Sequence, residues 1–382
     1  VAAKIIKLGY KIQIETSAGI KSNFVDHQYT QQGVSIVGCE EIWKSSDIIL
    51  KVNSPTDKES SLVSNSQTVI SFFGAAQNEK RIKLFERDKV NLLAIDSVPR
   101  ISRAQKMDAL SSMANIAGSR AVIEASHAFG RFFGGQITAA GKISPAKVLI
   151  IGAGVAGLSA IGTASSLGAI VRAFDTRPEV KEQVESLNGE FLTVEIDEDG
   201  SGSGGYAKTM SDEYIKAELE LFKNQCKEVD IIITTALIPG KPAPKLIDDE
   251  MLKILKPGSV IVDLAASQGG NCSQTIRDEL IVFEDVKIIG YTDLPSRLPS
   301  QSSQLYATNL YHVLSDLTPD KDGKIDINMK DDVIRGMTIV KDGVSAFPPP
   351  VIEVSAQTKK KNKVLDNKVK KEIKIEKKSF PF

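Results

Sequence analysis

Short apolar runs, separated by longer stretches with apolar residues at helical spacing, recur along most of this chain. In a parallel sheet covered on both faces, a strand is such a run of about four to eight residues. We predict strands in the first third of the chain at Lys11–Glu15, Ile48–Val52, Thr68–Phe72 and Asn91–Asp96. A second set is predicted at Val148–Ile151, Ala169–Phe174, Asp230–Thr234, Ser259–Leu264 and Lys287–Gly290. Strands that alternate with helices indicate an α/β fold with parallel sheets.

Two long helices are predicted between and after these sets of strands. Residues 105–133 contain no proline and carry an apolar stripe, so we predict one helix there. A second helix is predicted at Ser302–Leu317. We therefore expect two Rossmann-like domains joined by long connector helices. Residues 1–115 and 300–356 would form the first domain, and residues 116–299 the second.

The formal net charge of zero conceals a basic tail. Residues 359–378 contain ten lysines and three acidic residues, so the rest of the chain is acidic and offers no basic footprint for nucleic acid. We expect residues 357–382 to be a disordered, lysine-rich linker toward a membrane domain. Three cysteines without CxxC spacing and three scattered histidines form neither a disulfide framework nor a metal-ligand pattern, which fits a reducing compartment.

The longest uncharged stretch, residues 148–171, has the length of a membrane span. It contains five glycines and four hydroxyl side chains, and a strand, a glycine turn, a helix and a second strand account for it better. The first ten residues have the pattern of a helix already in progress, without an initiator Met. We therefore expect the chain to be a fragment or a processed product.

The glycine-rich segment in this stretch predicts a dinucleotide site. A strand runs into Gly152, Gly154 and Gly157 in the spacing GxGxxG, and a helix follows. The first glycine permits a tight turn, the second lets a pyrophosphate approach, and the third lets helix and strand pack closely. The next strand ends at Asp175, where a carboxylate meets ribose hydroxyls and repels a 2′-phosphate, so NAD is favoured over NADP. Two alternatives stay open: Arg177 can accept that phosphate, and the glycines can serve packing alone.

Three further segments carry polar or conformationally special residues. Residues 98–112 place arginines, a glutamine, an acid and serines before a helix. This pattern fits a ligand-binding loop, and it also fits a helix whose N-cap is Ser102 and whose polar residues face solvent. Tyr206 follows a Gly–Gly pair at the end of the glycine- and serine-rich stretch 197–205, which suits either a mobile lid or a plain surface tyrosine. Residues 235–244 are rich in proline after a strand end, as in a stiff loop against a cofactor or a simple helix stop.

Taken together, these segments resemble the NAD(H)-binding domain I of proton-translocating NAD(P) transhydrogenase, in the alanine dehydrogenase/transhydrogenase family. The resemblance rests on residues 98–117, 146–183, 204–210, 234–244 and 257–271 and covers nearly all of residues 1–357. It implies catalytic roles for Arg100, Gln105, Asp108, Ser111 and Tyr206. It implies no metal ligand, and cofactor-binding roles for Arg100, Ile101, Ser102, Arg103, Gln105, Gly152, Gly154, Val155, Gly157, Asp175, Thr176, Arg177, Gly205 and Leu237.

The resemblance implies direct hydride transfer between NADH on this chain and NADP⁺ on a partner domain. The implied partners are the NADP(H)-binding domain III, the proton-translocating membrane domain II and a second copy of this chain in a homodimer. The implied location is the soluble face of a membrane, either the cytoplasmic side of a bacterial inner membrane or the matrix side of a mitochondrial-type one. Because such a transfer needs no resident acid or base, we hypothesise that Gln105 bridges toward the second nicotinamide.

Alanine dehydrogenase, which shares the fold, is the nearest alternative. Its imine chemistry needs a lysine, a histidine and an aspartate at positions that here look like Asn53, Gly74 and Ser267. None of these titrates, so amino-acid deamination is expected to be absent. A non-catalytic NAD-binding module is the second alternative. Compared with the family pattern, the first strand of the first domain is expected to be missing.

Overall fold

The computed structural model describes residues 1–196, 198–202, 208, 210–237 and 242–349. Its strands, numbered in chain order, are β1 (Gln13–Glu15), β2 (Ser35–Val37), β3 (Ile48–Leu50), β4 (Thr68–Ser71), β5 (Asn91–Ala94), β6 (Gln136–Thr138), β7 (Gly141–Ile143), β8 (Lys147–Ile151), β9 (Ile170–Phe174), β10 (Gly189–Leu192), β11 (Ile231–Thr234), β12 (Val260–Asp263), β13 (Leu280–Phe283), β14 (Val286–Ile289), β15 (Thr338–Lys341) and β16 (Val344–Ser345).

The α-helices, numbered likewise, are α1 (Ala2–Ile6), α2 (Asp26–Thr30), α3 (Cys39–Ser45), α4 (Asp57–Ser60), α5 (Glu79–Arg87), α6 (Ala109–Phe129), α7 (Val155–Ser166), α8 (Lys181–Ser186), α9 (Asp212–Cys226), α10 (Asp249–Ile254), α11 (Pro299–Leu317) and α12 (Asp332–Met337). Short 3₁₀ turns occur at Ile20–Ser22, Ala75–Gln77, Ile95–Ser97, Ser102–Met107, Pro178–Val180, Ala266–Gln268 and Leu294–Arg297.

The larger sheet has seven strands in the order β10-β9-β8-β11-β12-β14-β13. Its strands are parallel except for β13, which runs antiparallel to β14. From β8 the chain moves outward to β9 and β10 and then crosses back to β11 on the other side of β8. This is the strand order of a dinucleotide-binding Rossmann sheet, in which ligands bind at the carboxyl ends of the strands beside that crossover.

The smaller sheet has five strands in the order β16-β15-β5-β4-β3. The predicted strands β3, β4 and β5 are parallel, and β1 pairs with β2 in a separate parallel sheet of two strands. The sheet is parallel at the strands that the sequence predicted, and β15 and β16, which it did not predict, pair antiparallel at the edge beside β5. The chain reaches that edge through α12, after the long helix α11 has returned it from the larger sheet.

Both long helices are present, with shifted starts. The first was expected from Gln105, but α6 begins at Ala109 because the Asp108 side chain caps it by accepting from Ser111 N–H. It ends before Gly130, which has a φ of +72°. The second, α11, begins at Pro299, a residue whose fixed φ suits the first turn of a helix.

The uncharged stretch 148–171 forms β8, a turn, α7 and the start of β9, as the glycine pattern predicts. Within the described ranges, no helix is both long and apolar enough to cross a membrane. The β8 side chains alternate between the two apolar clusters that cover the faces of this sheet, with Val148 and Ile150 in one and Leu149 and Ile151 in the other. This burial on both faces fixes the position of the turn that follows β8.

Candidate functional site

The chain turns sharply after β8, and two neighbouring strands hold the turn. Gly152 has a φ of +96°, and a Cβ on it would lie 2.4 Å from Thr235 Oγ1. The Thr235 hydroxyl donates to the carbonyls of Ile151 and Gly152 at 3.2 and 3.1 Å. Gly152 N–H donates to the carbonyl of Phe174 at 2.8 Å. Both the backbone angle and the lack of space therefore require glycine here.

The two following glycines have different surroundings. A Cβ on Gly157 would lie 1.8 Å from the carbonyl oxygen of Gly152, so this glycine is where α7 packs onto the turn. Gly154 is the N-cap of α7 and has no side chain to cap the first N–H groups. Its Cβ position is open except for Arg177 Nη2 at 4.0 Å. The start of α7 can thus present backbone N–H groups to a phosphate, and a pyrophosphate fits this backbone.

The Asp175 carboxylate follows β9 and closes the glycine turn. Its Oδ2 accepts from Ala153 N–H at 2.7 Å and from Arg177 Nη2 at 2.8 Å. Its Oδ1 accepts from the N–H and the Nε of Arg177 at 2.9 and 2.8 Å. A carboxylate offers about four acceptor positions, and here all of them are filled. A ribose hydroxyl must therefore displace one of these bonds, and those of the Arg177 side chain are the ones that a rotamer change removes.

The ion pair of Asp175 with Arg177 is nearly buried, with side chains 6% and 12% exposed. The hydrogen bond to Asp175 raises the pKa of the Arg177 guanidinium further above its ordinary value. A charge-assisted pair of this geometry holds both the end of β9 and the glycine turn in one position.

The structure adds a second acid near this pair, which the motifs did not indicate. Glu218 on α9 is 8% exposed, and Tyr214, one turn earlier, is 4% exposed. Burial, followed by the charge of Asp175, raises the pKa of Glu218 to about 7. Burial and the neighbouring acids, Glu218 first, raise the pKa of Tyr214 to about 12. Every fourth residue from Tyr214 to Cys226 lies on the buried face of this helix, and Glu218 is one of them. An acid at a position of this repeat is the signal in the sequence.

Glu218→Gln is expected to stabilise the protein by about 3 kcal/mol at pH 8 and by less than about 1 kcal/mol at pH 5. The Glu218 carboxyl has its ordinary pKa of 4.5 in the unfolded chain and about 7 in the fold, so between these values the fold holds a proton that the unfolded chain has lost. The free energy of unfolding of the parent protein therefore falls as the pH rises through this window, whereas an amide contributes no such fall.

Urea unfolding at both pH values measures this difference. Glu220→Gln, on the exposed side of the same helix, is the matched control and should follow the parent protein at both pH values. The same pH dependence in the Glu218→Gln protein and the parent would contradict the expectation.

The 3₁₀ turn before α6 is attached to the helices that return from the larger sheet. Lys106 Nζ lies 2.6 Å from Asp316 Oδ1 on α11, and Arg103 Nη2 lies 2.7 Å from Asp331 Oδ1 before α12. The buried Asn309 of α11 donates from Nδ2 to the Lys106 carbonyl at 3.0 Å. Exposed ion pairs alone stabilise little, but the buried amide bond adds a backbone anchor. The turn is therefore held in a defined position.

The predicted nicotinamide residues occupy this turn and the start of α6. Gln105 and Arg100 have exposed side chains. Asp108 accepts from Ser111 N–H at 2.9 Å through Oδ1 and from Ser111 Oγ at 2.6 Å through Oδ2. Both residues thus serve the start of the helix in this structure. The alternative of a helix capped by Ser102 is wrong, since the cap of α6 is Asp108.

The loop after β11 lies beside the glycine turn and is held at both ends by one amide. Asn271 Nδ2 donates to the carbonyls of Ala236 and Pro244 at 2.9 and 2.8 Å. Leu237, at the start of the loop, is exposed. Residues 238–241 lie outside the described residues.

The other expected cofactor contacts are only partly described. Val155 is 42% exposed at the start of α7, where a ligand can reach it. The carbonyl of Thr176 accepts from Gly200 N–H at 3.1 Å, so the chain after β10 passes directly beside the end of β9. Gly205 and Tyr206 lie outside the described residues.

The three positions compared above with ionisable residues of alanine dehydrogenase follow the carboxyl ends of three strands. Asn53 comes after β3, Gly74 after β4 and Ser267 after β12. The side chains of Asn53 and Ser267 do not exchange a proton near neutral pH, and Gly74 has no side chain. In the part of the chain that the structure covers, no group of three or more His, Cys, Asp and Glu residues is arranged to hold a metal ion.

Comparisons with known proteins agree along nearly the whole chain. The family model described as alanine dehydrogenase/PNT, N-terminal domain, matches residues 1–117, and the one described as alanine dehydrogenase/PNT, C-terminal domain, matches residues 121–347. NAD(P) transhydrogenase subunit alpha of Haemophilus influenzae is 56% identical over 372 residues, 97% of this chain and 72% of the relative. NAD(P) transhydrogenase subunit alpha of Cereibacter sphaeroides is 54% identical over 359 residues, 93% of this chain and 69% of the relative.

Solved structures extend the similarity to the fold. A transhydrogenase from Sinorhizobium meliloti superposes with a TM-score of 0.79 at 34% identity, covering 91% of this chain and 93% of that one. An L-alanine dehydrogenase gives a TM-score of 0.76 over 91% of both chains at 24% identity, a likeness of fold alone. The chain therefore belongs to the alanine dehydrogenase/PNT family, an NAD-binding oxidoreductase family, and within it resembles the alpha subunits of NAD(P) transhydrogenase.

Proposed function

We propose that this chain is the NAD(H)-binding component of a proton-translocating, Re/Si-specific NAD(P) transhydrogenase. The observation that carries this proposal is the uncapped glycine turn at the start of α7, closed by Asp175 at the crossover point of a Rossmann sheet. This geometry supports a site for a dinucleotide with a free ribose 2′-hydroxyl. Similarity to transhydrogenase alpha subunits supports the choice of NADH as hydride donor.

Binding would exchange one set of charge-assisted bonds for another. The pyrophosphate would accept from the first N–H groups of α7, and the adenosine ribose would donate to Asp175. The Arg177 guanidinium, whose Nη2 is 4.0 Å from the Cβ position of Gly154, would lie beside the phosphates. Transfer of its bonds from Asp175 to a phosphate frees the acceptor positions that the ribose needs. Leu237, Gly205 and Tyr206 would then cover the cofactor.

The reaction itself needs position rather than acid–base chemistry. A hydride passes from NADH to NADP⁺ on the partner domain III, giving NAD⁺ and NADPH, and this step transfers no proton between the two rings. The protein's contribution is to align the rings and to exclude water. Gln105 is exposed on an anchored turn and would bridge toward the second ring, while Arg100, Asp108 and Ser111 shape the nicotinamide end of the site.

We extend the proposal to assembly and location. Partners would be the NADP(H)-binding domain III, the membrane domain II, which couples hydride transfer to proton translocation, and a second copy of this chain. Phe132, before the β6–β7 hairpin, and Ile137, in β6, are exposed and would contribute apolar surface to a homodimer. The chain would lie at the soluble face of a membrane, with residues 357–382 as the linker. Residues 1–115 with 300–356 and residues 116–299 are proposed as its two domains.

The proposal is tested by mixing this chain with a purified NADP(H)-binding domain III and following hydride transfer from NADH to an oxidised NAD analogue through bound NADP(H). We expect turnover only when both proteins are present. Tight NADH binding without any transfer would instead support a non-catalytic NAD-binding module. NADH production from alanine and NAD⁺ by the chain alone would support alanine dehydrogenase and contradict the proposal.

A further inference from the structure

The buried face of α9 carries an acid where the pattern calls for an apolar side chain. Tyr214, Glu218, Phe222 and Cys226 follow at intervals of four residues and are all buried. The Phe222 ring meets the ring of Phe174 edge-on, with centroids 5.2 Å apart. Phe174 directly precedes Asp175 in the chain. This face of α9 therefore packs against the end of β9, and Glu218 lies in the protein behind the proposed ribose site.

The charge that acts on the Glu218 carboxylate is negative. Asp175, at the end of β9, is the negative group that acts on Glu218, and Glu198, from the segment after β10, acts on the neighbouring Tyr214. Within the described ranges, neither a hydrogen bond nor a cation stabilises the Glu218 carboxylate. The Arg177 side chain is paired with Asp175. The ionised form of an acid that is 8% exposed and has no cationic partner is costly to the fold.

We infer that Glu218 is a specificity-determining residue of the adenosine-ribose site, which as a second carboxylate behind Asp175 disfavours any nucleotide that carries a 2′-phosphate. This inference rests on the proposed NAD(H) site. A 2′-hydroxyl is neutral, whereas a 2′-phosphate carries a charge of about −1.5 to −2 near pH 7 and is repelled by both carboxylates. The effect grows when Arg177 leaves Asp175 for the pyrophosphate, because Asp175 then loses its neutralising cation.

The role of Glu218 depends on pH in a way that a packing role does not. Its pKa of about 7 means that the side chain is mostly neutral at pH 6.0 and mostly charged at pH 8.5. Selection against the 2′-phosphate should therefore strengthen over this interval. The second pKa of a phosphate, about 6, lies in the same range, so the selectivity of the parent protein alone cannot isolate the effect. A variant without the carboxylate is the necessary reference.

The test compares the affinities of 5′-AMP and 2′,5′-ADP, which differ only in the 2′-phosphate, measured by displacement of fluorescent NADH at both pH values. Three proteins are compared: the parent, Glu218→Gln and Glu220→Gln. Glu220 is exposed on the same helix and accepts from Asn224 Nδ2 at 3.3 Å, a bond that a glutamine keeps. We expect the ratio of the two dissociation constants at pH 8.5 to be about tenfold lower in Glu218→Gln than in the other two proteins. At pH 6.0 the three ratios should agree within about twofold.

Two results would overturn the inference. One is an equal ratio in all three proteins at pH 8.5, including the case in which none of them binds 2′,5′-ADP. The other is a ratio lowered by the same factor at both pH values, which would indicate altered packing. If NADH binds normally, either result overturns this inference alone. If the parent protein does not bind NADH, the proposed function is overturned with it.

Discussion

Gly157→Ala is expected to weaken NADH binding by about 100-fold, the equivalent of two lost hydrogen bonds to a charged phosphate. The added Cβ would lie 1.8 Å from the carbonyl oxygen of Gly152, so α7 must move away from the turn. That movement misplaces the N–H groups at the start of the helix. We also expect a loss of about 3 kcal/mol in the free energy of unfolding, as for an overpacked core. NADH fluorescence titration and urea unfolding measure the two effects.

Alanine substitutions at two other glycines of the same segment distinguish an effect on NADH binding from an effect on folding. Gly162→Ala adds a Cβ whose nearest neighbour is Leu187 Cδ2 at 3.6 Å, an ordinary contact, so folding and NADH binding should both be retained. Gly154→Ala should fold normally, because the residue has a φ of −74° and only Arg177 nearby, yet its methyl group would occupy the approach of the pyrophosphate. Equal NADH affinity in all three variants would refute a phosphate site at this turn.

Features that depend on neighbouring residues in the chain could be predicted from the sequence. The glycine turn is such a feature, since Gly152, Gly157 and the strand that ends just before Asp175 follow one another in one βαβ unit. The sequence did not indicate that Arg177 fills the acceptor positions of Asp175, because a side-chain rotamer depends on space left by other elements. The sequence favoured Asp175 as a ribose ligand and left Arg177 as a counter-argument. In the structure the two side chains form an ion pair.

Features that depend on distant parts of the chain could not be predicted. The edge strand β15 pairs with β5, more than 200 residues earlier in the sequence, and short half-exposed strands such as β13 have a weak apolar pattern. Glu218 was missed for a related reason. A glutamate on a helix is usually solvated, and only the contact of this face with the end of β9 identifies it as buried. The start of α6 was misplaced by four residues because the apolar stripe continues through the 3₁₀ turn that precedes it.

Gln105→Asn is expected to slow hydride transfer to a partner domain III by about 100-fold, because a displacement of about 1 Å in aligned reactants can cost that much. The side chain is exposed on a turn whose backbone Asn309 holds at Lys106, so a shorter side chain cannot be compensated by movement of the turn. NADH affinity should change by less than about threefold, since phosphate and ribose contacts lie on the other sheet. Single-turnover transfer and NADH titration, measured on the same preparation, give the two numbers.

The same shortening at Gln304→Asn, on an exposed position of α11, is the matched control and should leave both numbers unchanged. The hydride-transfer rate and the NADH affinity have to be interpreted together. Slow transfer with unchanged NADH binding means that Gln105 acts only when the second nicotinamide is present, as a bridge between two rings requires. Weakened NADH binding in proportion to the transfer rate would make Gln105 an ordinary cofactor contact. An unchanged transfer rate would remove it from the site, and with it the argument that this anchored turn aligns the two rings.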